Sequence, residues 1–260
     1  MTAAAPARRA RPGNFAAATV GLGALAAFLL AVEILIQIGV VNRFIVPPPS
    51  EIIGSFGRVI VEENVFGRFL LTLTECLTAG VMLTVFGVAG GVLMHRFKLL
   101  QQACETWVAA MASAPLVLMY PLFLVIFGRN AWTIIMMGFF AALPPVILKT
   151  IEGIAGTRKV LVNVGRSFNL NATQQFWKIL FPAALPTIFV GLRLGLIFAL
   201  INIVGVEFLI NFGGLGQLIN ELAERYDLAG TYAAICFVIL VSIVFFMALE
   251  KAERWLRPVD

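Results

Sequence analysis

The chain has 260 residues, of which 60% are apolar and 13% charged, and its mean hydropathy is +0.96. A soluble domain carries ~45–50% apolar and ~25% charged residues; the excess here needs lipid to cover it, which excludes a soluble enzyme, a disordered chain and a disulfide scaffold. The net charge of +5 reads as loop Lys and Arg that orient a membrane protein, not as a nucleic-acid surface.

At ~20 residues per crossing, the length allows about six spans with short loops and no separate soluble domain. A tail over residues 1–14 carries Arg8, Arg9 and Arg11. The apolar run 15–41 behind it exceeds the ~7–15 residues of a signal-peptide core and reads as an uncleaved first span. Further runs lie at 69–94, 107–127, 132–148, 185–206 and 231–249, the fourth of them at the short limit for crossing. Trp107, Tyr120, Trp132 and Trp255 fall near span ends, as interfacial aromatics do. With the N-terminus inside, the inner segments hold thirteen Lys and Arg and the outer ones five. Both termini are therefore expected in the cytoplasm, with 15–257 forming one transmembrane domain and 258–260 a short tail.

Several chemistries have no residues to carry them. His95 is the only histidine, Cys76, Cys104 and Cys236 show no metal or disulfide spacing, and no Gly-Lys dipeptide exists to form a phosphate-binding loop. If ATP drives this protein, another polypeptide binds it, and no cofactor is expected in this chain. Of the few ionisable groups that enter apolar runs, Glu75, Arg193 and Glu207, with the amide Asn202, are candidates for a translocation path; Glu33 and Glu207 lie close enough to the outer interface to reach water. No chain of carboxylates crosses the bilayer and no inverted repeat relates the two halves. Gly87-x-x-x-Gly91 and Gly191-x-x-x-Gly195 permit close helix approach.

The segment 149–181 is the one long inner loop. Leu161, Val164 and Phe168 recur at helical spacing, with Lys159, Asn163, Arg166 and Ser167 on the other face. Asn169 and Asn171 suit a turn, and Asn171 with Gln174 begins a second short helix through a capping box. That helix is expected to run to Pro182 and break there. The pair fits either a groove on a partner or an interfacial position on lipid headgroups.

The stretch Asn163-Val-Gly-Arg-Ser-Phe-Asn169, followed by Ile179-Leu-Phe-Pro182, resembles the EAA loop of bacterial ABC-importer permeases. That motif is Glu-Ala-Ala, three residues, Gly, nine residues and Ile-x-Leu-Pro, and the spacing is the same. Asn163 replaces its Glu, Val164 and Gly165 its two Ala, Asn169 its Gly and Phe181 its Leu. Pro47-Pro-Pro-Ser-Glu51, Pro182-Ala-Ala-Leu-Pro186, Gly191-Leu-Arg193-Leu-Gly195, and Glu207 with Gly214-Leu-Gly216 are similar to the branch that imports nitrate, sulfonates, taurine and related compounds. The resemblance implies an all-α type I importer permease of six transmembrane helices, with a cytoplasmic coupling helix pair between spans four and five. It further implies docking through Asn163, Val164, Gly165, Arg166, Ser167, Asn169, Ile179 and Pro182 onto cytoplasmic ABC ATPase subunits, a second permease copy, a periplasmic or lipid-anchored binding protein, and no enzyme activity. The rival readings are an ion-coupled secondary transporter, whose uptake would collapse with an uncoupler, and a membrane sensor with no uptake.

Overall fold

A computed structural model describes residues 14–43 and 45–256, with side chains from Thr19 to Arg254. The arginines of the N-terminal tail, Arg257, and the side chain of Trp255 lie outside the described residues. Among those described, every regular element is helical.

Helix α1 (Asn14–Gln37) is apolar on all sides and almost unburied. It is tied to the amphipathic α2 (Pro49–Glu62) through Glu33, which accepts from the Ser50 backbone N–H at 3.1 Å and hydroxyl at 2.8 Å. A carboxylate there satisfies a free donor at the start of α2. The second crossing runs from Val65 to Arg96: α3 (Val65–Met82), one wide π turn at Leu83–Gly87, and α4 (Val88–Arg96).

The third apolar run, 107–127, is not one continuous helix. Helix α5 (Lys98–Ser113) and the apolar stretch Leu116–Phe127, whose last part is α6 (Tyr120–Phe127), meet at 92°. Pro115 explains the bend: Ala114 before it is extended, as a residue preceding proline prefers. Among the described residues, five helices are long and apolar enough to cross a membrane, or six when this bent pair counts as one.

Helix α7 (Ala131–Ala155) starts on an Asn130 cap that accepts from Thr133 N–H. It runs seven residues past the apolar stretch 132–148, so 149–155 is not loop as the hydropathy suggested. Lys149 and Glu152 pair at 2.6 Å on this last turn, an arrangement that favours helix without being apolar. α7 is the centre of the bundle, with 61% of its span buried against 6–33% for the other four single spans.

Beyond α7 come α8 (Lys159–Ser167) and a continuous helical rod, Ala172–Ile210. The rod consists of α9 (Ala172–Gln175), a π turn at Phe176–Leu180, and α10 (Phe181–Ile210). The expected break at Pro182 does not occur. The π turn just before it, closed by Phe181 N–H on Phe176 O, accommodates the missing proline donor within the rod. Both small-residue motifs face α7. A Cβ on Gly91 would lie 2.5 Å from Thr150 Cβ, and one on Gly195 would lie 2.7 Å from Val146 Cγ2 and 3.1 Å from the Ala142 carbonyl. α4 and α10 thus grip α7 from two sides at a distance only glycine allows.

At the end of α10 remote from α8, the short helix α11 (Gly214–Glu224) leads into the last crossing, α12 (Leu228–Leu256). Leu215, Leu218 and Leu222 of α11 form a second core with Val59, Val65, Ala233 and Ala234. Their i, i+3, i+7 spacing was the available signal for α11, which the hydropathy runs left as loop together with α2.

Candidate functional site

The α8 elbow is built from local rules. α8 ends in a Schellman motif: Leu170 N–H reaches Gly165 O at 3.1 Å and Asn169 N–H reaches Arg166 O at 2.9 Å. The motif needs a left-handed residue at its turn, and Asn169 supplies it with φ +52°. Two residues on, Asn171 accepts from Gln174 N–H at 2.8 Å, and the Gln174 side chain accepts from Asn171 N–H at 3.1 Å. This is the capping box the sequence indicates.

Gly165 faces the rod so closely that a Cβ there would lie 2.5 Å from Ile179 Cδ1. Gln175 Nε2 donates to Val162 O at 3.2 Å. α8 is therefore clamped on the first turns of the rod, at α9 and the π turn, by close packing and a hydrogen bond. Its apolar face points away: Val160 is 71% exposed, Val164 46% and Phe168 75%. Asn163, Arg166 and Ser167 are exposed beside them. Nothing in the described chain covers this apolar stripe. Between this elbow and the end of α7 lies a groove of ≈ 830 Å³ lined by Lys149, Glu152, Arg158 and Pro186 among others.

The four path candidates separate. Arg193 is engaged with Glu253 of α12 at 2.9 Å. Asn202 lines a cavity of ≈ 410 Å³ at the Pro115 bend, with Met111, Phe198 and Gly205, and donates to Phe198 O at 2.9 Å. Glu75 and Glu207 come together, buried to 2% and 0% exposure, where α3 meets α10 and α11. Thr72, absent from the sequence reading, completes that junction: it donates to Glu207 at 2.7 Å and accepts from Leu215 N–H at 3.0 Å.

Glu207 also accepts from Gly216 N–H at 2.8 Å. Gly214, with φ +74°, gives the carboxylate room, because a Cβ on it would stand 2.0 Å from Glu207 Oε1. This is the physical content of Glu207 followed by Gly-Leu-Gly.

Three ion pairs that sequence could not match surround this end: Arg58–Asp227 and Arg68–Glu221, both at 2.6 Å, and Arg225–Glu63 at 2.8 Å. The hydrogen bond to Asp227 raises Arg58 above the ordinary arginine value. Partial burial works against ionised Asp227, but the Arg58 bond and Gly230 N–H together hold its carboxyl below the usual range. Among the described residues no group of three or more His, Cys, Asp or Glu gathers to hold a metal.

Residues 83–258 match the model of the family described as binding-protein-dependent transport system inner membrane component, more than half of the chain. The chain belongs to this family. It is a permease of an ABC importer, a membrane transport component, and the family implies ATPase and binding-protein partners. The taurine transport system permease protein TauC of Escherichia coli (strain K12) is 21% identical over 245 residues, covering 92% of this chain and 89% of that one. The nitrate import permease protein NrtB of Synechocystis sp. is 28% identical over 193 residues, covering 74% and 70%. The fold is that of the MetNI methionine ABC transporter in its inward-facing form, with a TM-score of 0.65 at 18% identity over 75% of this chain and 96% of that one.

Proposed function

We propose that this permease imports a small solute of the taurine, sulfonate or nitrate kind, and that α8 is its coupling element. The observation that carries the second part is the outward apolar stripe of Val160, Val164 and Phe168 on a clamped two-helix elbow. Asn163, Arg166 and Ser167 border the stripe and would meet the ATPase, while Gly165, Asn169, Ile179 and Pro182 hold the elbow in shape. ATP binding by the partner would then move α8, and α8, held on the rod Ala172–Ile210 through Gly165 and Gln175, would drag α10 with it, because no break interrupts that rod. Two copies of the chain would enclose the path, and a binding protein would deliver solute at the α11 end. The transmembrane domain spans 15–257 between the tails 1–14 and 258–260, with 156–180 as its working loop. This chain changes no bond in the solute.

The Asn202 cavity has no charged lining residue and Arg193 is paired. Among the described residues of this stretch no unpaired cation lines that cavity, and we assign selection of the solute to the binding protein. Co-purification of the assembled importer, with mass spectrometry of what the binding protein carries, identifies the solute. The purified permease alone should hydrolyse no ATP, and a tagged copy should retain an ATPase subunit. Hydrolysis by the isolated chain, or a preparation that binds no ATPase, would refute the assignment of α8.

The thirteen-to-five count of basic residues supports assigning α8 to the cytoplasm and α11 to the outside. In a background without the three native cysteines, which are free, a cysteine at Arg166 should resist an impermeant thiol reagent in intact cells. One at Pro48 should react. Labelling at position 166 from outside reverses the orientation.

A further inference from the structure

The junction of α3, α10 and α11 contains a carboxylate that ordinary packing does not account for. Glu207 is fully provided with donors: Thr72 hydroxyl serves one oxygen, and Gly216 N–H, at the start of α11, serves the other. Glu75 is 2% exposed, neither of its oxygens meets a hydrogen-bond donor, and the charged group that acts on it is Glu207.

The only basic side chains of α3 and α10 are committed elsewhere, and α11 has none. Arg68 of α3 pairs with Glu221 of α11, and Arg193 of α10 pairs with Glu253 of α12. Arg129, before α7, donates to Ile210 O at 2.9 Å. The wall contributed by α12 is apolar, with Leu240, Val241, Val244 and Phe245 around a cleft that Thr72 and Cys76 also line. Cys76 is the other titratable group facing Glu207.

Two adjacent ionised carboxylates without a counter-ion each lose their hydration on burial and repel one another besides. One proton removes both difficulties. A protonated Glu75 gains an O–H with which to donate to Glu207. The single negative charge left is shared by Thr72, Gly216 N–H and the positive end of α11.

We propose that Glu75 and Glu207 form a proton-binding site, in which one proton is held on Glu75, donated to Glu207, and ties α3 to the α10–α11 elbow. The proposal does not depend on which solute is carried or on how α8 docks. Raising the pH until the proton leaves puts two buried charges side by side, so the tie weakens on the alkaline side.

The test uses the permease assembled with its ATPase. At neutral pH, infrared spectroscopy should show a deuterium-sensitive carboxylic-acid C=O band that disappears in Glu75→Gln. The band should persist in Cys76→Ala, which removes the neighbouring thiol. Thermal unfolding of the wild type should move to lower temperature as the pH is raised above neutral, while Glu75→Gln, whose amide also donates to Glu207, should change little over the same range. No acid band in the wild type, or a band that survives Glu75→Gln, overturns the site. So does failure of Glu75→Gln to assemble, because glutamine mimics the protonated acid in shape and in donor. Stability that follows sodium concentration at fixed pH and ionic strength would assign the pair to a monovalent cation and overturn the proton.

Discussion

Asn169→Val should leave the permease in the membrane at normal abundance but reduce solute uptake and ATPase co-purification by roughly tenfold, whereas Asn169→Gly should retain both. Asn169 sits at φ +52°, where its own N–H and that of Leu170 close the end of α8. An ordinary L-residue pays roughly 1–2 kcal/mol for a left-handed backbone, and ~1.4 kcal/mol is a factor of ten in population. A β-branched residue is a genuine outlier there. Valine therefore drives residue 169 out of the left-handed region, the two closing bonds are lost, and Phe168 and Val164 no longer present their faces on a fixed support. The transmembrane core is untouched, since none of these residues packs in it. Glycine adopts the same φ freely, so it separates the backbone requirement from the side chain. Valine transporting as well as asparagine would show that coupling does not require this turn.

The α8 elbow was legible because its determinants are local. The Asn171–Gln174 box and the left-handed Asn169 depend on residues within one turn of each other, and fixed spacing encodes them. The third crossing was not legible from hydropathy, which registers that 107–127 is apolar and is blind to direction; Pro115 in its middle was the available sign of the 92° bend. Pro182 misled in the opposite sense. A proline breaks a helix only where the backbone cannot take up a wide turn, and the π turn at Phe176–Leu180 keeps the rod continuous. Lys149 and Glu152 ended the apolar run without ending α7, because helix formation and hydropathy are separate properties.

The junction of Glu75, Thr72 and Glu207 was the least accessible. Each residue can be flagged as a polar group in an apolar run. Their meeting is a tertiary event between α3 and α10, and nothing in either segment's spacing announces it. The same holds for Arg193, whose role as an ion-pair partner depends on Glu253 lying on the last helix.

The second large effect is expected at Gly195. Helices in lipid associate through van der Waals packing and not through a hydrophobic force between them, so a gap opened between α10 and α7 has no compensating gain. Alanine at position 195 would bring a Cβ to 2.7 Å from Val146 Cγ2 and 3.1 Å from the Ala142 carbonyl. The carbonyl belongs to a helix backbone and Val146 is stiff at χ1, leaving neither neighbour an inexpensive way to yield. Overpacking of this kind costs about 1–3 kcal/mol, and leucine at the same position should prevent assembly. Val146 is fully buried and also touches the other side of the grip, its Cγ1 lying 2.9 Å from where a Cβ on Gly87 would be. Val146→Ala alone should therefore destabilise by lost packing, yet in Gly195→Ala it makes room. The double variant should cost less than the sum of the two singles by about 0.5–3 kcal/mol. Gly23→Ala is the control, since a Cβ there meets nothing within 4 Å, and its midpoint should match the wild type. Thermal unfolding of the purified importer measures all four. Equal midpoints for Gly195→Ala and Gly23→Ala, or strict additivity with Val146→Ala, would show that α10 does not press on α7 at Val146.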